Sequence, residues 1–272
     1  METTNNKKEG MTITMTMTML PFKRPEIRRA YFLRAFGRPE EDMAIFSFGA
    51  CNYNCPYCKR DGQFKGEGKQ ILRAQDYTWA EIKAHIDRAI ALGQRIRLSG
   101  GDPCMFPRQA LQIAEYVWGR YGKKISIAHN GSSPQLVKTL LPYLEYAAID
   151  LKGSTDASLA YRAGLAFKAG RVERTLNVIR TLVKAGVLVD VRTCVFGDTS
   201  FEELVAIRNL LLGISEGEGK VFWTLRKYNE IASCDFVPGD AEKIKEFAEE
   251  LATPKLKVGF RDKWTGATFS IY

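Results

Sequence analysis

Apolar residues along this chain gather into short runs that alternate with longer stretches of helical period. Six runs have the length and β-branched or aromatic content of strands: MAIFSF (43–48), RIRLS (95–99), KISIA (124–128), YAAIDL (146–151), VLVDVRTCVF (187–196) and KVFWTLRKY (220–228). Between them the period changes to that of amphipathic helices. In WAEIKAHIDRAIALG the residues Ile82, Ile86 and Ile90 recur four apart and Gly93 ends the pattern. PRQALQIAEYVWGRYG, SPQLVKTLLPYLE, VERTLNVIRTLVKAG and SFEELVAIRNLLLG follow the same rule, and residues 240–251 form a last helix. The closing stretch LKVGFRDKWTGATFSIY has the pattern of a strand pair.

Strands joined by helices long enough for crossover connections predict an α/β fold, a partial (β/α)6 open barrel of parallel strands. Residues 1–20 mix Met, Thr, Asn and Lys without apolar period and are expected to form a flexible tail. No linker interrupts the remainder. Residues 21–272 are therefore expected to form one domain, with its core at about 43–230 and a helix and strand extension at 240–272.

Of the 272 residues 45% are hydrophobic, enough for a sizeable core. The net charge of +9 favours anionic small molecules or an acidic protein as partners. Charge of this size is not specific, and nucleic acid is the less favoured partner. No apolar window is long enough for a membrane span, and MTITMTMTML is too weakly hydrophobic for a signal core. A cytoplasmic protein is expected. Six cysteines stand at 51, 55, 58, 104, 194 and 234, three crowded and three scattered. That pattern is unlike a disulfide framework and points to metal or redox chemistry.

In α/β barrels, function gathers at the C-terminal ends of the strands. Cys51, Cys55 and Cys58 lie in the loop after the first predicted strand, GACNYNCPYCKRDG. Structural zinc prefers four protein ligands, and no second pair of closely spaced cysteines or histidines exists elsewhere in the chain. A dithiol redox pair needs only two of the three. Three thiolates can hold three irons of a 4Fe–4S cluster and leave the fourth open to an exchangeable molecule. A non-catalytic iron–sulfur or zinc protein remains the alternative of a different class.

CNYNCPYC resembles the CxxxCxxC motif of the radical S-adenosylmethionine (SAM) superfamily, at the place in the barrel where that family carries it. The resemblance implies a cluster on Cys51, Cys55 and Cys58, with SAM bound at the open iron. An electron from a flavodoxin or ferredoxin would cleave SAM to a 5'-deoxyadenosyl radical, which abstracts hydrogen from a substrate. Gly100, Gly101, Asp102 and Pro103 resemble the family's GGEP turn, with Asp for Glu, and would hold the methionine amino group. Tyr57 matches the residue that packs near adenine.

Within the superfamily the second half most resembles glycyl-radical-enzyme activases of the pyruvate formate-lyase activating type. HNGSS and AAIDLKGS are similar to their TNG and DLK segments, and VRTCVF to a later strand. By this resemblance Asn130, Asp150, Lys152 and Arg192 are SAM contacts. Ala128 stands where those activases carry an aspartate that helps to form a cation site, strand six lacks their histidine, and the lead-in lacks their Asp-Gly-Pro-Gly segment. His129, at a strand end, is a candidate substrate or cofactor contact, whereas His85 belongs to a helix surface. Cys104 and Cys194 are candidate hydrogen-atom donors, with a small buried side chain as the alternative. Lys59 and Arg60 depart from the activases and suggest a different target. A glycine in an acidic partner protein and a small anionic molecule or peptide precursor are both compatible substrates.

Overall fold

The computed structural model describes residues 20–58, 75–215, 219–231, 234–263 and 269–272. The expected tail, up to residue 19, and Lys59 and Arg60 lie outside the described residues.

A strand β1 (Leu20–Arg29) precedes the first predicted one. It runs antiparallel to β2 (Asp42–Phe48), with Ile27 opposite Ala44, and also to the short β3 (Gln75–Tyr77). The sequence carries no strand signal in β1 because Glu26 and Arg28 face the cavity side, so no apolar alternation marks it. Helix α1 (Trp79–Ala91) starts at a capping box in which Thr78 and Glu81 bond to each other's backbone N–H, and it buries Ile82, Ile86 and Ile90. It leads into β4 (Arg95–Gly100), followed by α2 (Pro107–Tyr121), β5 (Ile125–His129) and α3 (Pro134–Leu140).

The predicted continuation of α3 fails at Pro142, which cannot supply the N–H that the next turn needs. One 3-10 turn (Leu141–Tyr143) replaces it, and β6 begins at Leu144 and ends at Asp150. The chain continues through α4 (Asp156–Ala163), α5 (Arg171–Lys184), β7 (Leu188–Val195), α6 (Phe201–Ser215) and β8 (Val221–Lys227). After α7 (Ala241–Leu251) come β9 (Lys257–Arg261) and β10 (Phe269–Ile271). Helix α4, absent from the sequence expectation, has only eight residues, too few for a periodic signal.

Strands β2, β4, β5, β6, β7, β8 and β9 are successive parallel neighbours in that order. The six predicted strands are thus joined by β9, and β10 turns back antiparallel as the expected strand pair. The sheet ends at β3 on one side and β10 on the other, so the barrel is open.

The apolar core lies outside this barrel, between the sheet and the helices. Phe46, Leu98, Ile127, Ile149, Val191 and Leu225 point outward into it and are at most 2% exposed. Inward positions on the same strands are polar: Arg97, Asp190, Arg192 and Arg226 all face the cavity. A 3-10 turn, Tyr31–Phe36, closes the floor. It buries Phe32 and Leu33 against Tyr146 and Phe222, and Arg34 Nη2 donates to the carbonyl of Phe269 at 3.0 Å.

Candidate active site

The loop after β2 carries Cys51, Cys55 and Cys58, all half-buried free thiols facing one cavity of about 290 Å³. Two neighbours fix this loop by close backbone contact. The N–H groups of Gly101 and Asp102 donate to the carbonyls of Phe48 and Ala50, both at 2.7 Å, which pins the loop's start to the turn after β4. Gly100 makes that approach possible. Its φ of +97° lies in the region that favours glycine, and a Cβ there would stand 2.4 Å from the Phe48 nitrogen. Farther along, Asn54 N–H donates to the carbonyl of Ala163 at 3.0 Å, at the C-terminal end of α4. Gly164 caps that helix with φ +60°, in direct contact with Asn54.

The predicted residues Asp102, His129 and Asn130 converge behind this loop. Asp102 is buried and accepts three hydrogen bonds: Oδ1 from Cys104 N at 2.9 Å and from His129 Nδ1 at 2.8 Å, and Oδ2 from Asn130 N at 2.8 Å. Burial alone would raise its pKa; the adjoining imidazole and these donors outweigh that and hold it below the usual carboxylate range. His129 also accepts at Nε2 from Ser133 N–H, at 3.1 Å. With a donor aimed at Nε2, the ring proton sits on Nδ1 and both nitrogens are occupied. His129, expected as a contact for substrate or cofactor, lines the cavity, and through both nitrogens it braces the β5 loop. Asp102, Cys104 and His129 place donor atoms within 4.8 Å of one another, and hydrogen bonds to the backbone and to each other consume the polar ones.

Asn130 relays this bracing to the cysteines. Its Nδ2 donates to Asn52 Oδ1 at 2.7 Å and lies 3.8 Å from Cys51 Sγ, while Asn52 Nδ2 donates to Ser132 Oγ at 2.8 Å. Nothing in the sequence pattern marked Asn52 or Ser132.

Tyr57 packs edge-on to Phe196 at 4.9 Å, beside Tyr228 and Phe236. Its hydroxyl accepts from Lys152 Nζ at 3.3 Å, and Lys152 is ion-paired with Asp150 at 2.9 Å. Burial works against both charges, but their mutual attraction prevails: Asp150, with Arg226 also near, is held at about 2 and Lys152 is pushed well upward. Cys194 faces the cavity from β7, where burial pushes its thiol up to about 11, so it keeps its hydrogen at neutral pH. Cys104 is not among the residues lining the cavity; it packs against the apolar core with Sγ 3.8 Å from Ser132 Oγ. Cys234 is a buried side chain among Phe196, Tyr228 and Ile231. Arg192, placed by resemblance beneath the cofactor, bonds Asp190 Oδ2 at 2.6 Å, and its guanidinium and that of Arg97 lie 6.0 and 5.4 Å from the Phe32 ring.

The model of the family described as "Radical SAM superfamily" matches residues 45–211, well over half of the chain and centred on this site. The chain belongs to the radical SAM superfamily. Members use a 4Fe–4S cluster and SAM, and the donor set fits: three cysteines on one braced loop, with no disulfide between them, facing a cavity that continues to the turn at Gly100. Cys51, Cys55 and Cys58 would hold the cluster. The turn's N–H groups at 101 and 102 are spent on the start of the cysteine loop.

Among superfamily members, a "Probable GTP 3',8-cyclase" from Methanothermobacter thermautotrophicus is 34% identical over 96 residues, 35% of this chain and 29% of that protein. The chain spans about a third of the length of the cyclases it matches. A "7-carboxy-7-deazaguanine synthase" from the same organism is 23% identical over 171 residues, 61% of this chain and 66% of the relative. A solved radical SAM methyltransferase from Sphaerobacter thermophilus shares the fold, with a TM-score of 0.56 at 14% identity over 82% of this chain and 66% of its own. Among the described residues no helix is long and apolar enough to cross a membrane.

Proposed function

We propose that this radical SAM enzyme acts biosynthetically, on a small molecule held inside the barrel. When bound, the reduced cluster and SAM supply a 5'-deoxyadenosyl radical that takes a hydrogen atom from the substrate. The observation that carries the reading is that one lining joins the cysteine loop to polar side chains on the inner strand faces, the buried Arg97 and Asp190 and the partly buried Arg192. A cavity of about 290 Å³ with chemistry on its walls suits a compact substrate. The names of the curated relatives, a nucleotide cyclase and a deazaguanine synthase, agree with such a substrate.

The chain's own residues bind and exclude. The Asn52–Asn130 contact and the Asp102 network hold the cysteine loop in place, and Tyr57 with Phe196 and Phe236 forms an apolar wall beside it. In this reading Cys194, kept as a thiol, gives a hydrogen atom to a product radical, and the thiyl radical left on its sulfur is returned to the thiol by one electron from the flavodoxin or ferredoxin and one proton from solvent. The electron donor in this reading is a low-potential flavodoxin or ferredoxin, in the reducing cytoplasm.

Anaerobically reconstituted, reduced protein should convert SAM to 5'-deoxyadenosine and methionine. An intact cluster without these products would sink the reading. The dialysable fraction of a host extract should stimulate the reaction; stimulation confined to the non-dialysable fraction would favour a glycyl-radical-enzyme activase, the reading to which the sequence motifs lean.

A further inference from the structure

Positive charge on the inner wall exceeds what the fold requires. The cavity lining contains nine Lys and Arg residues against four Asp and Glu. Six of the nine are arginines, from five strands: Arg28 and Arg29 on β1, Arg97 on β4, Arg192 on β7, Arg226 on β8 and Arg261 on β9. The carboxylates are already engaged. Glu26 pairs with Arg28 at 2.7 Å, Asp190 with Arg192 at 2.6 Å, and Asp150 with both Lys152 and Arg226. Asp102 belongs to the His129 network.

Arg97 is the sharpest case. It is 5% exposed, its Nε donates to Ser126 Oγ at 3.1 Å, and its Nη2 is buried with no hydrogen-bond partner among the described residues. No carboxylate among the described residues forms an ion pair with it; Asp190 attracts it only from beyond ion-pair distance. The Phe32 ring 5.4 Å away supports the guanidinium but gives Nη2 no acceptor. Burial, and next the charge of Arg192, press its pKa down to about 9, so it remains a cation at neutral pH. Burying a charge without a partner is costly, and so is gathering like charges around it.

We propose that this arginine wall is the recognition site for an oxyanion of the substrate, a phosphate or a carboxylate, with Arg97 as its anchor and Arg28, Arg192 and Arg261 around it. The planar forks of guanidinium groups match such anions in geometry and charge. The position also orients the substrate. Arg97 precedes Gly100 by three residues on one strand, about 10 Å of extended chain. An anion held there leaves the rest of the molecule directed at the turn and the cysteine loop. An acidic protein surface cannot reach the anchor, Arg97, buried on the inner face of β4, so a small molecule is the occupant. The inference rests on the reading of the protein as a small-molecule radical SAM enzyme.

The test uses full-length, cluster-loaded protein, with inorganic phosphate and succinate as probes, titrated by calorimetry in about 0.15 M NaCl so that general screening is constant. At least one probe should bind saturably. Arg97→Met should weaken that binding by about tenfold to a hundredfold, and Arg97→Lys by less. Tighter phosphate binding assigns a phosphorylated substrate, and tighter succinate binding a carboxylated one. Failure of both probes to bind, or equal binding by Arg97→Met and wild type, overturns the proposal. If Arg97→Met does not fold, Arg261→Gln takes its place with the same expectation and the same overturning result. Formation of 5'-deoxyadenosine by the wild type is measured alongside. Product without probe binding overturns the anion site alone; probe binding without product overturns the enzymatic reading and leaves the anion site standing.

Discussion

Asn130 and Asn52 meet amide to amide across the mouth of the barrel, with Asn130 Nδ2 donating to Asn52 Oδ1 at 2.7 Å. One belongs to the loop after β5 and the other to the cysteine loop. Their contact is how the scaffold reaches the residue next to Cys51. Asn130→Ala should cost about 1 kcal/mol of stability yet lower the iron retained per chain after gel filtration. Hydrogen exchange over residues 51–58 should quicken; unchanged exchange and full iron retention would show that the loop holds itself.

Asp102 supports three donors at once, two of them backbone N–H groups. Asp102→Ala strands all three in a buried setting and should destabilise the fold by about 3–5 kcal/mol, read from urea denaturation. His129→Ala should cost less, because Asp102 keeps two of its partners. A loss below about 1 kcal/mol for Asp102→Ala would remove the network from the account of the fold.

Glycines 100 and 37 both have positive φ, but only one is crowded. An added Cβ at Gly37 meets nothing within 4 Å, whereas at Gly100 it would run into the backbone of Ser47 and Phe48. Gly37→Ala should therefore cost about 1 kcal/mol, the conformational term alone. Gly100→Ala should cost several times that, or fail to give soluble protein. Equal melting temperatures for the two variants would contradict the close approach of β4 to the end of β2.

Acid should expose the Asp150 pair. Burial pushes Asp150 up, but Lys152 and Arg226 bring it down to about 2, below its value in the unfolded chain. Its contribution is thus complete above about pH 4 and is lost as pH falls through 2, roughly 2 kcal/mol in all. Lys152, shifted upward, contributes at every pH below its unfolded value and loses its part only in strong alkali. Between pH 4 and pH 2 the stability of Asp150→Asn should fall less steeply than that of wild type. Parallel curves would count against the shift.

Each of Cys51→Ala, Cys55→Ala and Cys58→Ala should abolish the cluster, measured as iron content and visible absorbance. Cys104→Ala, which leaves the cavity lining untouched, should retain both. A cluster that survives at roughly four irons per chain in any of the first three variants would refute the ligand assignment.

The six parallel strands and the cysteine loop were legible because each left a local mark: an apolar run such as IFSF, or a spacing such as CxxxCxxC. β1 was missed for a physical reason. Its inward residues are charged, and inside this barrel the polar side faces in while the apolar side faces the helices, so alternation carries the opposite sense from a solvated sheet. The same inversion hid Arg97, which sits between Ile96 and Leu98 and looks like the wet face of a strand. His129 was legible as a strand-end histidine but not as a brace, since the N–H that occupies its Nε2 comes from Ser133 in the following turn, and its other partner stands 27 positions away. Asn52 and Ser132 leave no periodic or spacing signal at all.

The floor turn at Tyr31–Phe36 has a bearing on synthesis. It is fastened to the far end of the chain, by Arg34 to Phe269 across 235 positions and by Lys257 to Ala35 across 222. During translation the cysteines emerge early, but the vessel they open onto lacks its last wall until the C-terminal strands have left the ribosome. Loop closure over such distances is slow compared with local folding. Closure of the floor therefore waits on the last strands of the chain, and a chain truncated before β10 would carry its thiols over an open-bottomed barrel.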